Sequence, residues 1–181
     1  MHVNLSAKQF VHPDLATEIA GVLQATGLPA SSLNLEITES AVIENPDSVI
    51  EVLGTLKALG LRISIDDFGT GHSSLSYLHR FPIDALKIDR SFVSAMTVEQ
   101  SKIIQAIVAL AQALHLEVIA EGIETLDQLS RLSQLGSDGG QGYLFAAALS
   151  APNAESVLAS SQDMIASPWI QPVGTIGAIE P

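Results

Sequence analysis

The sequence predicts an α/β barrel of parallel strands joined by helices, and two observations carry that expectation. Short β-branched or apolar runs alternate with stretches of helical period through most of the chain. Successive runs also end on a polar residue able to ligate a metal or do chemistry: Asn4, Glu36, Asp66-Asp67, Lys87 and Glu121. In a closed barrel every strand delivers its last residues to one C-terminal face. An open doubly wound sheet gathers them less completely, so the pattern favours the barrel.

The strands are expected at Val3-Leu5, Leu33-Ile37, Arg62-Asp66, Ala85-Ile88 and Leu116-Ala120. Between them the helices are punctuated. Pro13 opens one that Gly27 should stop in a left-handed conformation. Asn45-Pro46 reads as N-cap and first-turn proline of a second, which Gly60 ends, with Val49, Ile50, Val52, Leu53 and Leu56 inward. Ile103, Ile104, Ile107, Val108, Leu110, Ala111 and Leu114 mark a third. Thr125 and Gln128 form a T-x-x-Q capping box before a fourth, which Gly136 closes.

The 181 residues suit one domain with a sizeable core, 47% hydrophobic and 15% charged. No apolar run nears the roughly 18 residues of a membrane span, and no export signal is seen. With no cysteine, disulfides and thiolate metal sites are excluded; a cytoplasmic location fits. A net charge of −12 argues against polymeric nucleic acid, whose binding needs a basic surface. A small phosphate ligand stays open if cations screen the carboxylates.

Asp66-Asp67, in I-S-I-D-D-F-G-T-G, carries a repulsion cost unless a cation or donors compensate. Side chains leave a strand in opposite directions, so a turn at Gly69 and Gly71 is expected before both carboxylates face one site. The plainer alternative is a cap for the turn at Ser73-Ser74-Leu75. Glu36 interrupts the apolar strand of L-N-L-E-I-T-E-S and needs a metal or a cationic partner. Glu39 is equally readable as a solvated or capping residue. Asn4 offers a neutral oxygen, although an Asn at a strand end is more often a turn residue. Carboxylates with an amide oxygen suit hard divalent cations, and the five histidines lack zinc spacing. Lys87 could pair with one of the acids, stabilise charge on a phosphate, or both. Asp89 could join it or cap the next turn. Glu121 closes a strand, Gly122 permits a tight exit, and Glu124 precedes a cap. Gln141 sits in the glycine-rich Gly139-Gly140-Gln141-Gly142. No P-loop, nucleophile elbow or kinase catalytic loop is present.

Taken in order, N-L-S, L-E-I-T-E-S, D-D-F-G-T-G-H-S-S-L-S-Y-L, L-K-I-D-R-S-F-V, A-E-G-I-E-T and Q-G-Y-L-F resemble the signature of the EAL family of cyclic-di-GMP phosphodiesterases. The resemblance covers about residues 2–157 as a barrel domain, leaving 158–181 as a helix end and irregular tail. It implies a modified TIM barrel, here incomplete at its first strand and helix, and hydrolysis of cyclic di-GMP to pGpG with Mg²⁺ or Mn²⁺, as two ions. By motif, Asn4, Glu36 and Asp66 resemble ligands of a first metal and Asp67 of a second. Lys87 and Glu121 match residues that position or activate the attacking water. Gln141 resembles a residue near that water, and Glu124 an anchor of the loop carrying the acid pair. A homodimer would be compatible with it.

Departures accompany the resemblance. No Glu-Ala-Leu occurs in the chain, which begins about one strand and one helix late, so one expected metal-ligating glutamate is missing. His72 stands where the family usually has tyrosine, Ala146-Ala147-Ala148 where it has Ser-Lys-Pro, and Ser167-Pro181 matches no motif. The preferred expectation is a metal-dependent phosphodiesterase, its activity open to impairment by truncation. The alternatives are a catalytically inactive cyclic-di-GMP-binding or protein-interaction module, and a fragment completed by another chain.

Overall fold

The computed structural model describes residues 1–10, 12–43, 46–71 and 75–160. Expectations resting on Asn45, His72, Ser73, Ser74 and the tail Ser167-Pro181 lie outside the described residues. The fold is α/β: strands that pair in parallel alternate with helices. The chain forms two compact units, one built on Met1–Ala85 and one beginning at Leu86.

In the first unit β1 (His2–Leu5), β2 (Asn34–Thr38) and β3 (Arg62–Phe68) are adjacent and parallel. The connections carry α1 (Ala7–Phe10), α2 (Leu15–Thr26), a 3₁₀ turn (Ala30–Ser32), α3 (Glu39–Ile43) and α4 (Pro46–Ala58). Gly27 ends α2 at φ +69°, and Gly60 follows α4 at φ +89°; both stops fall where expected. Val49, Leu53 and Leu56 of α4 are buried, whereas Ile50 and Val52 are half-buried, because a single helix face meets the sheet. After β3 comes α5 (Leu75–Leu78).

The second unit holds most of β4 (Ala85–Ile88), with β5 (Glu117–Ala120) and β6 (Gly139–Gly140). Between them run α6 (Arg90–Ala95), α7 (Val98–Ala113) and α8 (Leu126–Leu135); α9 (Ala151–Ser160) follows β6. Ile104, Ile107, Val108 and Ala111 bury the inner stripe of α7, while Ile103 is exposed. Thr125 and Gln128 form the expected capping box, and Gly136 closes α8 at φ +91°. A second box, Thr97 with Gln100, opens α7. Both glutamines also donate from Nε2 to carbonyls of α6, Gln100 to Ser91 and Gln128 to Val93 and Ser94. Among the described residues no helix is long and apolar enough to cross a membrane.

Candidate metal and phosphodiester site

The first unit turns a polar face and an apolar face. Residues two apart on a strand share a side, and the register aligns His2, Asn34 and Arg62, then Asn4, Glu36 and Ser64. Thr38 and Asp66 form the next level. The intervening Val3, Leu5, Leu35, Ile37, Ile63 and Ile65 lie on the opposite side, where Leu35, Ile37, Ile63 and Ile65 are essentially sealed from water. Strict alternation in L-N-L-E-I-T therefore splits the sheet, leaving oxygen-bearing side chains on one face.

Glu36 is 6% exposed, and His2 Nδ1 lies 2.8 Å from its Oε1. The Asn34 amide lies 3.0 Å from the same His2 nitrogen and 2.6 Å from Ser64 Oγ. Asn4 pairs in register with Glu36 and is itself exposed.

Asp66 and Asp67 remain within β3, half-buried, and the strand does not wait for a glycine to turn. Asp67 adopts φ +54°, a left-handed conformation that aspartate tolerates better than most residues. That breaks the two-residue alternation at the acid pair itself, ahead of the expected turn, which follows at Gly69 with φ +95° and a Thr70 N–H to Asp67 O bond of 3.3 Å. The Asp67 N–H donates to Asp66 Oδ1 at 3.0 Å.

The loop beyond the pair is held by Glu39, 4% exposed, whose Oε2 accepts the Gly69 N–H at 2.9 Å. A Cβ on Gly71 would come within 3.1 Å of Glu39 Oε1, so the loop passes close over this carboxylate. Glu39 is thus the described side chain on that loop, in the place the sequence reading gave to Glu124. Glu124 is exposed, and its N–H donates to Gln128 Oε1 in the cap of α8.

In the second unit Lys87 is 1% exposed and bonded through Nζ to Glu121 Oε1. Gln141 Nε2 donates to the same carboxylate oxygen at 2.6 Å. Such an ion pair is expensive to desolvate and contributes little net stability, so its presence calls for a role beyond packing. Backbone bonds fix the trio: Glu121 N–H to Ile88 O at 3.0 Å, and Gln141 N–H to Ala120 O at 2.8 Å. Ile123 closes the arrangement by donating to Gln141 O at 3.0 Å and accepting from Leu144 N–H at 2.9 Å. Asp89 caps α6 through a bond from Ser91 N–H at 2.9 Å.

The donor set fits a hard divalent cation. Asn4, Glu36, Asp66 and Asp67 offer carboxylate and amide oxygens, and the chain has no thiol. Two contributors were not anticipated. His2 bonds Glu36 across 34 residues, and Gly142 lets the chain pass against Ile123; only the glycine-rich run hinted at the second.

The EAL domain family matches residues 1–148. The cyclic di-GMP phosphodiesterase NbdA of Pseudomonas aeruginosa is 48% identical over 145 residues, 79% of this chain but 18% of its own length. The MucR phosphodiesterase of that organism, solved in complex with c-di-GMP, is 44% identical with TM-score 0.81, covering 84% of this chain and 62% of that one. Klebsiella pneumoniae BlrP1, solved as a manganese and cyclic-di-GMP complex, is 34% identical with TM-score 0.75, covering 81% and 38%. The chain spans about a fifth of the length of the curated relatives it matches. With its family match and these relatives, the chain belongs to the EAL domain family.

Proposed function

We propose that this chain hydrolyses cyclic di-GMP to the linear dinucleotide pGpG with two Mg²⁺ or Mn²⁺ ions. The observation that carries the reading is the donor set of the first unit. There Asn4, Glu36 and Asp66 stand on one face of three adjacent parallel strands, with Asp67 next in sequence. Asn4, Glu36 and Asp66 would hold the first ion and Asp67 the second. Bound there, such ions would supply positive charge to polarise the scissile phosphate and to make water more acidic.

The remaining steps belong to the protein's own groups. Glu121 is the carboxylate that would take a proton from the attacking water. Its Oε1 is oriented by Lys87 Nζ and Gln141 Nε2, so its position is set before substrate arrives. Lys87 also supplies charge for a phosphate gaining negative character in the transition state. Glu39, by accepting from Gly69, would keep the loop after Asp67 closed. Glu124 would act only through the cap of α8.

The test is incubation of the full chain with cyclic di-GMP and Mn²⁺, followed by chromatography for pGpG. Linear product that needs the metal and disappears in the Asp66→Asn variant supports the proposal. Absence of product at enzyme concentrations matching the substrate would refute it, and tight nucleotide binding without turnover would make the chain a binding module.

A further inference from the structure

We infer that His2 is a positioning residue for Glu36, and that it acts through a proton on Nδ1. The inference rests on the metal-binding reading above and adds a residue to it. Glu36 as a carboxylate can only accept hydrogen bonds, so a 2.8 Å contact from His2 Nδ1 to its Oε1 requires the hydrogen on that nitrogen. A nitrogen so committed cannot also accept from the Asn34 amide 3.0 Å away. The amide donates instead to Ser64 Oγ at 2.6 Å.

The result is a run of polar contacts across three strands. His2 on β1 donates to Glu36 on β2, and Asn34 on β2 donates to Ser64 on β3. Each contact crosses between neighbouring strands, at or next to a register pair. The imidazole is thereby held in one tautomer, and the Glu36 carboxylate in one rotation. Bonds of this kind behind a ligating group characteristically change metal affinity by about 10- to 100-fold when removed.

Asparagine at position 2 places an amide nitrogen as many bonds from Cα as His Nδ1, whereas glutamine reaches one bond further. Three variants of the full chain, His2→Ala, His2→Asn and His2→Gln, are compared with the parent by calorimetric Mn²⁺ titration without nucleotide. Thermal unfolding in chelator checks each fold. His2→Ala and His2→Gln should bind Mn²⁺ at least about tenfold more weakly, with His2→Asn near the parent. Parent-like binding by His2→Ala, or equal weakening in all three variants, overturns the role of Nδ1. Failure of the parent itself to bind Mn²⁺ overturns the metal reading, and this inference with it.

Discussion

Gly142 is where a single methyl group should disconnect the Lys87–Glu121–Gln141 trio. A Cβ built on Gly142 would lie 2.1 Å from Ile123 O and 2.3 Å from Ile123 N. Ordinary van der Waals contact begins near 3.4 Å, so the segment must move by more than an ångström. Both obstructing atoms are backbone, in a loop tied at each side, so no rotamer change relieves the clash. Moving the segment strains the bonds from Ile123 N–H to Gln141 O and from Leu144 N–H to Ile123 O. Two bonds at about 1 kcal/mol each, with overpacking of about 1–3 kcal/mol, give a loss of roughly 3–5 kcal/mol for Gly142→Ala. With a urea dependence of about 1–3 kcal/mol per molar, the unfolding midpoint falls by at least about 1 M. Gly21, in the exposed middle of α2 with nothing within 4 Å of its Cβ, is the matched control. Gly21→Ala should gain about 0.5–1 kcal/mol from its greater helix propensity. Denaturant unfolding followed by circular dichroism measures both. A Gly142→Ala midpoint within error of the parent would refute the reasoning, because it would mean the loop relaxes freely.

Two further outcomes follow from the same geometry. Glu39→Gln should weaken the carboxylate bond to Gly69 N–H by about 1 kcal/mol; exchange of the Gly69 amide, followed by NMR, should quicken about fivefold, and an unchanged rate would remove Glu39 as the loop's anchor. Lys87→Met should destabilise the fold by about 3 kcal/mol, because it leaves the largely buried Glu121 carboxylate without its cation. Adding Glu121→Leu should recover more than about 1 kcal/mol of that, and strictly additive losses in urea titrations would show that the pair is not coupled.

What could be read along the chain was whatever a residue announces to its near neighbours. Gly27, Gly60 and Gly136 announce helix ends because few other residues accept a positive φ. Thr125 and Gln128 sit three apart, within reach of one another, so their box is a local fact. Thr97 with Gln100 has the same spacing but is hidden by the short α6 directly before it. β6 was not foreseen because two glycines carry no side-chain alternation at all. The partners of the polar groups are a different matter. His2 with Glu36, Glu39 with Gly69 and Lys87 with Glu121 span 30 or more residues each, and register or loop path decides which carboxylate meets which donor. Motif order proposed the residues; only the fold shows Glu39 bonded to the loop after the acid pair.

Asp67 shows most clearly why that bond matters. An extended strand would send Asp66 and Asp67 to opposite faces, leaving one carboxylate among the apolar residues that pack on the helices. Delaying the turn until Gly69 would leave that problem in place, because both acids would still be extended. The left-handed φ of +54° at Asp67 re-aims the backbone between the two residues. A non-glycine residue held there costs on the order of 1 kcal/mol, and the surroundings must supply the compensation. Two contacts do so: Asp67 N–H is satisfied by Asp66 Oδ1, and the Gly69 N–H just beyond is satisfied by Glu39. Glu39 thus compensates strain at the acid pair as well as closing the loop, which is why a buried carboxylate 30 residues before Gly69 belongs to the site.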